Sequence, residues 1–131
     1  MTALPGAGAA GGTGYGFLAA WGAAIEAGSI AIAELTGFVA AAASADVIIT
    51  GEGRFDATST GGKVVGHALE LAAQPGTRRA IIAGSIASAP PPGVWAASLV
   101  ELAGSLEAAL DDPTRWLYAA GASAANALGA A

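Results

Sequence analysis

The chain has 131 residues, enough for one domain around a single core and too few for two complete ones. Ten acidic residues against five basic ones give a formal charge of −5, too little positive charge to neutralise a phosphate backbone, which argues against a nucleic-acid partner. With no cysteine, disulfides, thiolate metal sites and cysteine nucleophiles are excluded, and much of the 54% hydrophobic content is alanine, which buries little surface per residue.

Residues 3–25 carry no charge, which raises the question of a membrane span. Pro5 and the glycines at 6, 8, 11, 12, 14, 16 and 22 weaken such a helix, and no Lys or Arg stands in the first 25 residues to open a signal peptide. Glu26 and Glu34 close off any extension, so a soluble, cytoplasmic chain with no membrane partner is expected.

In chain order, LPGAGAAGGTGYGF (4–17) reads as a glycine-rich loop and residues 17–25 as a helix. Ser29 is placed to cap the next helix, on which Ile32, Leu35 and Val39 recur at helical spacing, and Gly37 should split it in two. ADVIIT (45–50) is a β-branched run stopped by Gly51, the pattern of a buried parallel strand. Over 62–73, Val65, Leu69 and Ala72 share one helical face, ended by Pro75 and Gly76. RRAIIAGS (78–85) repeats the strand pattern, flanked by Arg78 and Arg79 in solvent, and ASAPPPG (87–93) is too rich in proline for helix or central strand. VWAASLVEL (94–102) suggests a third, shorter strand. Ser105 then caps a helix through Leu110, and Pro113 begins the closing helix.

Strand, helix and strand within about 40 residues form a βαβ unit, and right-handed crossover makes the strands parallel. The fold class expected is therefore α/β: a parallel βαβ sheet with flanking helices. Residues 51–56 and Gly84-Ser85 then share the carboxyl edge, where open α/β sheets place ligands. Glu52, Arg54, Asp56 and Lys63 crowd into that stretch in a chain with 11% charged residues, which favours a binding function over a solvated loop.

Two motif matches fail on inspection. GAGAAG (6–11) fits GxGxxG, but no strand precedes it, which leaves an anion loop or a packing turn at Gly6, Gly8 and Gly11. TSTGGKVV (58–65) is not a P-loop, since Ala57 replaces the first glycine and Val64 the hydroxyl residue that would hold magnesium. What survives is an anion preference from helix-start amides near Gly61 and Gly62, the hydroxyls of Thr58, Ser59 and Thr60, and Lys63. His67, the only histidine, has no second metal-ligand residue at suitable spacing and reads as a surface or core-edge residue. The isolated Trp21, Trp95 and Trp116 read as core or interface anchors.

PGAGAAGG (5–12), ADVIITGEGRFD (45–56), Ser59, Gly62-Lys63, IIAGS (81–85) and SLEAAL (105–110) together resemble, in order and spacing, the bacterial glycerate kinases that are similar neither to P-loop kinases nor to sugar kinases. TGEGRxD is the most specific element. The resemblance implies ATP-dependent phosphorylation of D-glycerate with magnesium, at a cleft between a flavodoxin-like domain and a second α/β domain inserted into it. It implies catalytic roles for Glu52, Arg54, Asp56 and Lys63: the two cations balancing phosphate or carboxylate charge, Glu52 and Asp56 holding magnesium or accepting the hydroxyl proton. Gly6, Gly8, Gly11, Gly51, Gly53, Ser59, Gly62 and Ser85 would line the nucleotide and substrate. Thr58 departs from the family's usual glutamine.

The resemblance reaches only the family's C-terminal third, with residues 1–44 as glycine-rich loop and helices and 45–131 as the βαβ-containing, flavodoxin-like part. Met1 stands almost on the glycine motif, so a truncated or split gene product is expected, completed by an N-terminal polypeptide or by self-association. A single rim supplies only part of what phosphoryl transfer needs. Two other readings stay open: a non-catalytic interaction module on the same scaffold, and a nucleotide-binding α/β domain of another class.

Overall fold

The β-branched run at 47–50 forms the start of a strand that pairs with the second such run, and a helix between them carries the chain back across one face of the sheet. The computed structural model describes residues 4–61 and 63–129. Its sheet has the order β1 (Val47–Phe55), β2 (Arg78–Ile86), β3 (Val94–Ser98), all parallel. The α/β expectation, a parallel βαβ sheet with flanking helices, holds.

Before the sheet come α1 (Ala9–Trp21), α2 (Gly28–Leu35) and α3 (Phe38–Ala43); α4 (Val64–Leu71) makes the crossover from β1 to β2. After β3 the chain continues as α5 (Leu99–Ala103), α6 (Leu106–Asp111) and α7 (Pro113–Gly129). Alternation along β2 divides the core. Ile81 and Ala83 pack with Phe55 and with Val65 and Leu69 of α4, while Ile82 turns the other way, toward Leu99, Ala109 and Ala120 of the C-terminal helices. A third cluster, Ala42, Ile48 and Ala72, fixes α3 beside the start of β1. Burial of Phe55, Ile81, Val65 and Leu69 contributes about 1.5–3 kcal/mol each, so the α4 face carries most of the large-residue packing.

The link from β2 to β3 is unusual for parallel neighbours. Val94 pairs with Arg79, so seven residues (87–93) must return the chain along about 23 Å of strand. At about 1.5 Å per residue a helix of that length would fall far short; only a nearly extended chain, favoured here by Pro90, Pro91 and Pro92, covers the distance.

Several boundaries differ from those expected. β1 does not stop at Gly51 but stays paired with β2 as far as Phe55. α1 begins at Ala9 rather than residue 17, with left-handed backbone at Ala10, Gly11 and Gly12. Ser29 lies inside α2, whose N-cap is Ala27, whereas the expected break at Gly37 is present. The run 94–102 is strand only to Ser98, whose hydroxyl accepts from the Glu101 N–H at 3.3 Å and starts α5. Ser105 caps α6 as expected, accepting from the Ala108 N–H at 3.1 Å. Arg78 is not a solvent flank: its guanidinium donates to the Leu128 carbonyl and ties β2 to the end of α7. Trp21 is no core anchor, being 74% exposed, while Trp116 donates its indole N–H to the Ala108 carbonyl at 2.9 Å.

Candidate functional site

The second half of β1 forms the carboxyl rim. Glu52 lies beside Ala83, Arg54 beside Ser85 and Phe55 beside Ile86, so extending the strand through the TGEGR stretch brings the charged residues along the sheet edge instead of leaving them on a free loop. Gly51 permits this, because a Cβ there would run into the Ile82 carbonyl. Phe55, only 1% exposed, anchors the end of the strand.

The loop that follows is held from within. The Asp56 N–H donates to Ser59 Oγ at 2.9 Å, and the Ser59 N–H donates back to the Asp56 carbonyl at 3.0 Å. Asp56 Oδ1 accepts both the Thr58 N–H (2.8 Å) and the Thr58 hydroxyl (2.7 Å), and Thr58 Oγ1 in turn accepts from Lys63 Nζ at 2.7 Å. The result is a chain of donors from ammonium to hydroxyl to carboxylate. The Thr58 hydroxyl above all, then the Thr58 N–H, hold the Asp56 carboxyl below its ordinary value of 3.8; the positive charges of Lys63 and Arg54 add to this, and partial desolvation opposes it. Asp56 is therefore an anion at neutral pH. Gly66 closes α4 onto the same loop: its N–H donates to the Ser59 carbonyl at 3.2 Å, and a Cβ would lie 2.6 Å from the Thr60 carbonyl oxygen.

Two adjoining cavities open at this edge. One, of about 510 Å³, is lined by Ser29, Gly51, Glu52, Lys63, Val64 and Val65, so the first turn of α4 and its positive dipole end face it together with Lys63. The other, of about 590 Å³, is mostly apolar; Ile32, Ala33, Phe38, Ile49 and Ala68 line it with His67 and Thr50. Ser29, Gly51 and Val64 belong to both. Two residues that line these cavities each bury a side-chain atom without a hydrogen-bond partner among the described residues: Glu52 Oε1 and His67 Nε2. A buried polar atom left unpaired costs about 1–3 kcal/mol, so each calls for a partner, a water or a chemical role.

Of the residues singled out in the sequence, Gly51, Glu52 and Lys63 share the polar cavity, and Asp56 is joined to it through Thr58. Arg54, Gly53 and Ser85 lie along the same rim without lining either cavity. Ser59 is fully buried, so its hydroxyl shapes the loop from inside. Gly6 packs against Ile25, and neither cavity is lined by Gly6, Gly8 or Gly11. Gly62 lies outside the described residues. Sequence reasoning gave Thr50 no role, read Ser29 as a cap and His67 as a surface or core-edge residue, and named the Thr58 hydroxyl only as part of an anion preference, not as the link between Lys63 and Asp56. Thr58 could have been found from its place two residues after Asp56, the spacing at which a side-chain carboxylate takes a backbone N–H.

Among the described residues no three His, Asp or Glu side chains cluster as a complete metal cage. Magnesium is commonly held by one or two carboxylates plus phosphate oxygens and water, and a half-buried carboxylate kept anionic, as Asp56 is, fits that donor set. No helix is long and apolar enough to cross a membrane among the described residues.

A three-stranded parallel sheet with flanking helices, whose first strand carries a charged glycine-rich segment to a rim cavity, defines an α/β protein. The chain belongs to the glycerate kinase family, whose sequence model matches residues 1–129. It is 43% identical over 135 aligned positions to an uncharacterized protein of Mycobacterium bovis, covering 98% of this chain and 35% of that one. It is 51% identical over 81 positions to an uncharacterized protein of Synechocystis, covering 62% of this chain and 22% of that one. A glycerate kinase of Halalkalibacterium halodurans is 38% identical over 86 positions, 66% of this chain and 23% of that enzyme. The chain spans about a third of the length of the Mycobacterium relative.

Proposed function

We propose that this chain supplies the phosphate-facing rim of a glycerate kinase, acting in the cytoplasm on ATP and D-glycerate with magnesium, and that its residues 1–44 and 45–131 correspond to the helical and sheet portions of that enzyme's C-terminal third. The observation that carries this reading is the convergence of Glu52, Lys63 and the first turn of α4 on one cavity, with Asp56 tied to Lys63 through Thr58.

The roles follow from the hydrogen bonding. Lys63 and the amides of Val64 and Val65 offset phosphate charge, and Arg54 adds positive potential at the rim. Asp56, already saturated at Oδ1 and held anionic, is a poor proton acceptor and suits magnesium, which when bound neutralises phosphate charge. Glu52, with Oε1 unpartnered, takes the proton of the glycerate hydroxyl as its oxygen attacks the γ-phosphorus and the bond to the ADP oxygen breaks. Transfer requires acceptor and nucleotide to be positioned together, which this rim achieves with the remainder of the cleft.

A coupled assay for ADP formation with D-glycerate tests this, using the chain alone and with the N-terminal two thirds of the Mycobacterium relative. Turnover is expected with the complement, and Glu52→Gln should lower it by about 100-fold or more while ATP still binds. No turnover under either condition, or a Glu52→Gln variant of unchanged rate, would overturn the reading.

One observation favours a second reading, an interaction module. β1 is paired on one side only among the described residues, and Ile49, Leu35 and Trp21 are 55%, 82% and 74% exposed. Light scattering distinguishes the two: this reading requires self-association, and a monomer at all concentrations removes it.

A further inference from the structure

The apolar cavity beside the rim has no role in the chemistry above. It is walled by Ile32 of α2, Phe38 of α3, Ile49 of β1 and Ala68 of α4, and its volume of about 590 Å³ falls within the range of about 300–1,000 Å³ typical of small-molecule sites. Ile32 and Ile49 are 59% and 55% exposed, a large apolar area to leave to water. His67 also lines this cavity; its Nε2 is buried and has no partner among the described residues, while Nδ1 lies 3.9 Å from Glu70 Oε2.

The two cavities are connected along one helix. Lys63, Val64 and Val65 line the polar cavity, and Val64, His67 and Ala68, one turn on, line the apolar one. A ligand lying along α4 would thus place an anionic end at the helix N-terminus and a flat, largely apolar end against Ile32, Phe38 and Ile49. Glycerate is too small and too polar to use the second chamber. A nucleotide matches both.

We infer that the apolar cavity holds the purine base of the nucleotide, sandwiched between Ile32 and Ile49, with His67 Nε2 as its polar contact and Val64 at the boundary between base and phosphates. The inference rests on the kinase reading for the identity of the phosphate-bearing ligand. The unpaired nitrogen, buried at a cavity wall, is then the specificity group: it bonds a ring nitrogen or exocyclic amine, and a ligand without such an atom leaves it unsatisfied.

The chain's only histidine gives a single imidazole signal, so nitrogen NMR reports this chamber without ambiguity. Titration with adenosine, with inorganic tripolyphosphate and with ATP separates the two chambers. Adenosine and ATP should move the His67 ring resonances, tripolyphosphate should not. Ile32→Trp, which fills the groove from an exposed position and leaves the core alone, should weaken adenosine and ATP by about tenfold or more and leave tripolyphosphate within about twofold. His67→Phe should weaken adenosine and ATP in the same sense.

If tripolyphosphate and ATP bind equally well and adenosine neither binds nor moves His67, the inference falls and the phosphate rim stands. If adenosine binds and tripolyphosphate does not, the base chamber stands and the kinase reading loses its rim. Binding by none of the three overturns both.

Discussion

Two glycine-rich stretches, 6–12 and 51–66, look alike as text and behave differently as structure. The first is folded on itself: Gly6 touches Ile25, the Tyr15 N–H donates to the Ala7 carbonyl at 3.2 Å, and α1 buries none of its residues. The second is locked into the sheet, with Gly51 against the Ile82 carbonyl, Ser59 fully buried and Gly66 against Thr60. The difference lies in what adjoins each glycine. Where a β-branched strand and an amphipathic helix flank the stretch, close backbone approach positions charged side chains; where alanine and glycine flank it, only the small Ala7 side chain is buried.

The largest expected contrast comes from placing one methyl group in each stretch. In Gly66→Ala the new Cβ would sit under 3 Å from three backbone atoms of Thr60, so the loop must shift. That should cost about 3 kcal/mol, more than offsetting the gain of about 1 kcal/mol in helix propensity, and lower Tm by several degrees. Gly8→Ala meets open space at φ −85° and should change stability by no more than about 0.5 kcal/mol. Calorimetry on the two variants checks the pair; equal Tm values would mean the second stretch is no more tightly held than the first.

Ser59→Ala comes next. It removes the acceptor of the Asp56 N–H from a fully buried position, at a cost of about 1–3 kcal/mol by denaturant unfolding. Thr13→Val, in the first region, removes only an exposed hydroxyl bond to the Ala10 carbonyl and should fall within about 0.5 kcal/mol. A Ser59→Ala variant as stable as the parent would show that the loop is held by Gly66 and Lys63 alone.

The same contrast explains what could be read in advance. The βαβ unit was legible because 47–50 and 80–83 are β-branched or apolar runs and Val65 and Leu69 recur on one helical face, signals that local packing obeys. The continuation of β1 to Phe55 was not, because glycines at 51 and 53 read as a stop when the neighbouring strand that accommodates them lies thirty residues away. The start of α5 was missed for a different reason: Ser98 and Glu101 carry the S-x-x-E spacing of a helix start, hidden inside what looked like one strand. Of the candidate site, the crowding of Glu52, Arg54, Asp56 and Lys63 is visible in the sequence, while the link from Lys63 through Thr58 to Asp56 and the unpaired His67 Nε2 are not, since they depend on which atoms are paired.

The smallest expected effect is on proton binding at Asp56. Its folded value lies below the ordinary 3.8, so the carboxylate's contacts favour the fold above that pH, and the contribution is lost as the pH falls through the lowered folded value. Thr58→Val deletes the hydroxyl bond that is the first cause of the shift and leaves the Thr58 N–H bond in place, so the shift should shrink without vanishing. Carboxyl carbon NMR should then show Asp56 titrating closer to 3.8, with a shallower loss of stability on acidification through that range. The consequence reaches the rim as well: without Thr58 Oγ1, Lys63 Nζ loses its acceptor and the ammonium is no longer held in line with Asp56. An unchanged Asp56 titration would mean that the Thr58 N–H and the charges of Lys63 and Arg54 set the ionisation of this edge, and that the Thr58 hydroxyl does not.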